Sequence, residues 1–169
     1  ARRIQIVFNK LLWNSTEKAF SSAIKENEIL NPTSHAQLIA LYSGIADKEK
    51  VSSCQQWLLK HYKNPGKNVC CQNPDYMNSV KNKNGLNMPV TYYWLFSDLY
   101  RINKPVMDVE ILNEMRRRWK SMVLYKKDVG TLSESFPDDK GEGSSESCHN
   151  YGAVPVYFLS SYILGIRRE

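Results

Sequence analysis

Gly130-Thr131-Leu132-Ser133-Glu134-Ser135-Phe136, followed by a polar loop and then by Ser147-Cys148-His149-Asn150-Tyr151-Gly152-Ala153-Val154-Pro155-Val156-Tyr157-Phe158-Leu159-Ser160-Ser161-Tyr162-Ile163-Leu164-Gly165-Ile166, sets polar chemistry beside a nearly continuous apolar run. It joins an acidic, Gly/Ser-rich loop with one carboxylate among apolar neighbours, Glu134, to a segment apolar on nearly every side. Between Tyr151 and Ile166 only Ser160 and Ser161 are plainly polar. Such a helix is too evenly apolar to lie on a surface with one face in water, so the expectation is a helix surrounded by others. It falls short of the roughly 20 apolar residues that a bilayer span requires, so no membrane span is expected. Pro155 is tolerated if it lies in the first helical turn, where its missing N–H would have no partner, and should kink a helix that begins near His149. Gly165 then ends the helix, with Arg167 and Arg168 near the negative end of the dipole.

Working outward, 169 residues with 42% hydrophobic side chains suit one globular domain. The chain opens on Ala1-Arg2-Arg3 and runs directly into an amphipathic pattern, which reads as a polypeptide cut from something longer. The net charge of +6 includes Arg116-Arg117-Arg118 on one predicted helix. Such a run reads as a solvated face, and with no nucleic-acid module signature beside it a nucleic-acid partner is not expected. Cys54, Cys70, Cys71 and Cys148 lack metal-ligand spacing, and a ring between adjacent Cys70 and Cys71 would be strained. No metal and no cofactor are expected. Asn14-Ser15-Thr16 fits the glycosylation acceptor triplet, a pattern that also arises by chance.

Helical periodicity organises the rest. Ile4, Val7, Phe8, Leu11 and Leu12 make one apolar face of a helix from Arg3 to Trp13. A short extended segment at 19–24 and a turn at Asn31-Pro32-Thr33 follow. Ser34, with Gln37 in the reciprocal position, is the expected N-cap of a helix running to Gly44. Asp47 opens the next, through Val51, Cys54, Trp57, Leu58 and Leu59. The period is lost across 63–87, a long loop. Tyr92, Leu95, Phe96 and Leu99 then line one helix from near Pro89, with Trp94 on an adjoining face. Val109, Leu112, Met115, Trp119 and Met122 line another, from Val106 to Val123. Short connections make these antiparallel pairs. The expected fold class is all-α, a partial α/α toroid made of antiparallel helix hairpins.

These motifs, in this order, resemble the C-terminal part of the catalytic domain of bacterial α-L-rhamnosidases, inverting six-hairpin glycoside hydrolases with an (α/α)6 barrel. The resemblance covers most of the chain. It is carried by Ser34-His35-Ala36-Gln37 through Gly44-Ile45-Ala46-Asp47, by Met88-Pro89-Val90 through Leu99-Tyr100-Arg101, and by Ile111-Leu112 through Arg116-Arg117-Arg118-Trp119. The segment 130–136 is similar to the family's Ala-Thr-Thr-aromatic-Trp-Glu, whose glutamate is the catalytic base. Ser147-Cys148-His149 and Tyr162-Ile163-Leu164-Gly165-Ile166 are similar to its Ser-x-x-His and Leu-Gly-Ile ending.

By that resemblance residues 1–169 form the C-terminal portion of one (α/α)6 domain, with a catalytic loop at 128–148. Glu134 would be the general base, His149 would bind sugar hydroxyls, and Trp94 and Tyr93 would offer stacking surface to a carbohydrate substrate. Inverting enzymes hold two carboxyls roughly 6.5–9.5 Å apart so that water fits between them. The family's tryptophan before the base is Ser133 here, which alters the sugar pocket. The family's Asp-Glu-Arg-x-Gly-Trp segment, source of the general acid, lies upstream of Ala1 and is absent from these residues. The expected partners are therefore a carbohydrate, the missing N-terminal part of the same protein, and a homo-oligomer covering exposed apolar surface. The chain alone is expected to be inactive. The competing expectation is a noncatalytic helical carbohydrate-binding or protein-interaction domain.

Overall fold

A computed structural model of the chain describes residues 2–61, 88–102, 105–125, 132–134, 136 and 150–166. The described residues are mostly α-helical, with two short strand pairs. The chain divides into two compact units, residues 1–86 and 87–169. The expected loop at 63–87 falls almost wholly outside the described residues.

The first unit begins with α1 (Arg2–Leu11) and two hairpins, β1 (Trp13–Asn14) with β2 (Ala19–Phe20) and β3 (Ile24–Lys25) with β4 (Glu28–Ile29). The helix stops before Trp13, because that residue enters the first hairpin and turns its ring onto Phe20, 5.0 Å between centroids. Asn14 Oδ1 accepts from the N–H groups of Thr16 and Glu17, a local side-chain turn. Glu26 and Asn27, between β3 and β4, both take positive φ, as a two-residue type I′ hairpin turn requires.

α2 (Ser34–Tyr42) and α3 (Lys48–His61) pack as a hairpin behind these strands. The N-cap of α2 is Thr33, not Ser34: extended Thr33 accepts from the Ala36 N–H through its side chain. Gln37 does not close a capping box. Its amide accepts from Phe20 N–H at 2.8 Å and donates to the Phe20 carbonyl at 2.6 Å, completing the buried edge of β2 as another strand would. Gly44, at φ +69, terminates α2 as its position predicted. Asn9 ties α1 to the turn beyond, donating to the Ile45 carbonyl at 2.7 Å and accepting from Asp47 N–H at 2.9 Å. The outer face of α1 remains open. Ile4, Val7 and Leu11 are exposed and, with Phe8, Leu12 and Ile24, line an apolar groove of about 470 Å³.

The second unit holds α4 (Pro89–Ile102), α5 (Pro105–Tyr125) and a C-terminal segment. Only two residues separate α4 from α5, so the pair is antiparallel. Tyr92, Leu95, Phe96 and Leu99 are fully buried, as their spacing requires. On α5 the buried stripe is Ile111, Glu114, Met115, Arg118, Trp119 and Met122. Val109, expected on that face, is exposed because it lies nearly half a turn away from the centre of the stripe. The arginine run is likewise not one solvated face: Arg116 and Arg117 are exposed, but Arg118 is 4% exposed.

The final segment departs furthest from expectation. A 3₁₀ turn (Asn150–Ala153) leads into α6 (Val154–Phe158), which continues as a π turn (Leu159–Ile163). Pro155 sits in the first turn and Gly165, at φ +71, ends the element, both as predicted. The helix is not surrounded. Val154 and Phe158, four residues apart, are buried, while Val156, Leu164 and Ile166 are more than 65% exposed. Its described packing partners in this unit lie on α4, so one stripe is covered and the rest is open.

Candidate site on the segment 132–136

The carboxylate singled out by the sequence lies on a segment pinned on both sides. Phe136, 1% exposed, enters a box made by Tyr92, Trp119 and Arg118. The Tyr92 and Trp119 rings meet it edge-on at 5.4 Å and 4.8 Å, and the Arg118 guanidinium stands 4.5 Å over its face. Edge-on aromatic pairs and a cation over a ring are both attractive, each beyond the burial itself.

Leu132 is the other pin. It lies so close to Gly152 that a Cβ built there would stand 2.3 Å from the Leu132 Cβ. Trp119 donates its indole N–H to the Gly152 carbonyl at 2.6 Å. Between the pins, Ser133 is fully buried and Glu134 is half-exposed. Among the described residues the Ser133 hydroxyl has no hydrogen-bond partner. A half-exposed carboxylate can accept a proton from a water molecule. It cannot also protonate a leaving group on the opposite side, which takes a second acid.

Of the other predicted positions, two lie on α4 and one falls outside the described residues. His149 lies outside the described residues, immediately before the 3₁₀ turn. Tyr93 is half-buried, with its ring 5.6 Å from both Tyr157 and Phe158, so it joins the aromatic layer between α4 and α6. Trp94, next along α4, is half-buried too. Cys54 is a free, buried thiol that burial pushes up to about 12. Among the described residues no group of three or more His, Cys, Asp or Glu side chains is placed to hold a metal, and no helix is long and apolar enough to cross a membrane.

Sequence reasoning missed three buried charged groups. Glu114, 3% exposed, accepts from the Tyr92 hydroxyl at 2.9 Å and from Arg117 Nε at 2.8 Å. Arg118 lies one turn further along the same face. Burial raises the Tyr92 phenol and lowers Arg118, so this patch keeps the phenol protonated. Asp98, 2% exposed, is the third. Burial pushes its carboxyl up to about 7 against the pull of Arg101, whose Nη1 stands 3.4 Å from Oδ1. The available signal was spacing alone: position 98 lies three residues after Leu95, and 114 and 118 share the stripe of Ile111 and Met115.

No family model matches the chain, and no curated protein matches it in sequence. Among solved structures it is similar to a GH78 family rhamnosidase of Bacillus sp. GL1, with a TM-score of 0.69 at 18% identity. The match covers 98% of this chain and 16% of that one. At this identity the likeness establishes a shared fold, and the chain spans only a small part of that enzyme.

Proposed function

We propose that the chain is the C-terminal portion of an (α/α)6 catalytic domain that hydrolyses terminal α-L-rhamnosides, or glycosides of a related sugar, with inversion. Its helix hairpins contribute part of the toroid. Glu134 is the general base that takes a proton from the attacking water. The general acid comes from the N-terminal part of the same protein, which is absent from these residues. The observation that carries the reading is the fold likeness to a GH78 rhamnosidase over nearly the whole chain.

The local geometry supports the same assignment. A general base needs a positioned carboxylate with access to water, and a half-exposed Glu134 beside buried Ser133 supports that role. His149, adjoining the Gly152 turn, binds sugar hydroxyls in this reading, and Trp94 and Tyr93 supply apolar surface near the sugar. The open apolar faces of α1 and α6 support a cover supplied by the rest of the protein, since exposed patches of this kind mark contact surfaces. A second copy of the chain is the alternative cover, and sedimentation of the isolated chain distinguishes the two.

The test is turnover of an aryl α-L-rhamnoside by the full-length protein, with and without Glu134→Gln. Loss of the base is expected to lower kcat by about 100-fold or more while the substrate still binds, and the first sugar released is the inverted anomer. The isolated chain is expected to show no hydrolysis. Unchanged turnover in Glu134→Gln removes Glu134 from the mechanism. An inert full-length protein that still binds sugar leaves a carbohydrate-binding domain.

A further inference from the structure

We infer that Trp119 is a positioning residue that sets the Glu134 carboxylate through both ends of its segment; this rests on the reading of Glu134 as the base. One indole makes both connections. Its ring packs edge-on against Phe136, two residues after Glu134, with centroids 4.8 Å apart and planes at 80°. Its N–H donates at 2.6 Å to the carbonyl of Gly152, and Gly152 is the surface on which Leu132, two residues before Glu134, rests. Glu134 therefore lies between two contacts that share one support on α5.

The chemistry of the side chain argues for more than filling. Trp119 is 8% exposed, and a buried position that only fills space needs no donor. The indole offers a single N–H, and it is aimed at a main-chain carbonyl outside its own helix. That bond fixes how far the 3₁₀ turn at Asn150–Ala153 stands from α5, and the turn fixes Leu132. Arg118, the next residue back on α5, stands over the face of the Phe136 ring with its guanidinium at 4.5 Å. The stripe that buries α5 thus also sets the register of the base.

Trp119→Phe in the full-length protein removes the donor while keeping a smaller aromatic ring against Phe136, so the split between kcat and KM, not the loss of stability from the lost ring volume, is what reports positioning. Two readouts are taken: kcat and KM on an aryl α-L-rhamnoside, and hydrogen exchange of the peptide spanning 132–136. The expected result is faster exchange in that peptide and a kcat lowered by about 10- to 100-fold with KM unchanged within about twofold, since small displacements of a reacting group carry costs of this size. Phe136→Leu, which loosens the other pin, is expected to give the same split. Unchanged kcat and unchanged exchange in both variants overturn the inference. So does activity that falls only in step with the folded fraction. A wild-type protein inert toward rhamnosides sinks the functional reading, whereas the exchange readout still judges the anchor.

Discussion

Asp98→Asn is expected to stabilise the protein at alkaline pH and to do little at acid pH. Asp98 is 2% exposed on α4, and among the described residues its Oδ2 has no hydrogen-bond partner. Among the described residues its ion-pair partner, Arg101, is itself 54% exposed at the side chain and reaches Oδ1 only at 3.4 Å. Burial dominates, moving the carboxyl from 3.8 to about 7. The folded state then holds the Asp98 proton more tightly than the unfolded state by about 4 kcal/mol.

The direction follows from proton counts. Between the unfolded value near 3.8 and the folded value near 7, the folded protein binds more protons, so its stability falls as pH rises. The favourable contribution is fully present below the lower value and is lost through the upper one, a change of about 4 kcal/mol between pH 4 and pH 8. Asparagine keeps the shape and has no charge to desolvate. At pH 8 a gain of about 3 kcal/mol is expected, or roughly 6–12 °C in Tm for a domain of this size. At pH 4 the two proteins should melt within about 1 kcal/mol of each other. Thermal melts of both proteins from pH 4 to pH 8 provide the check. A variant less stable than wild type at pH 8 would refute the reasoning, because it would mean that the charged form of Asp98 is favourably partnered.

Two further substitutions test the framework on either side. Gly152→Ala places a methyl group within 2.3 Å of the Leu132 Cβ, so an overpacking cost of about 1–3 kcal/mol is expected in urea unfolding, together with a lower kcat as the Glu134 segment is pushed aside. Gln37→Leu keeps the side-chain bulk but leaves the buried N–H and carbonyl of Phe20 without their partner. A loss of about 2–5 kcal/mol is expected by the same measurement, and a loss below about 1 kcal/mol would mean that water replaces the amide.

The helices were legible wherever one face alternates with another at the helical period. Tyr92, Leu95, Phe96 and Leu99 are the clearest case, and the glycines at 44 and 165 end their elements at positive φ as read. The caps were less legible. Ser34 and Thr33 are both good caps, and what decides between them is a contact 17 residues away, where Gln37 is drawn to the main chain of Phe20. Glu134 stood out in the sequence only through a motif. Nothing local announces that Phe136 and Leu132 pin it, because the pins lie on α5 and at Gly152.

Two misreadings share a physical origin. Arg118 was assigned to solvent by its charge, although the stripe Ile111, Glu114, Met115, Arg118, Trp119, Met122 advances by three and one and turns position 118 inward. The cost of burying the guanidinium is offset by the face of Phe136 and by nearby Glu114 and Tyr92, partners that charge type alone does not reveal. The C-terminal segment was assigned to the interior by its apolar content, although only Gly152, Val154 and Phe158 are buried. Composition records every surface that the working protein buries, whereas this unit supplies partners for one stripe of the helix. The same surplus stands on α1, where Ile4, Val7 and Leu11 face outward. In the proposed reading these two faces are contact surfaces for the rest of the protein, and that reading is tested by whether the full-length protein covers them.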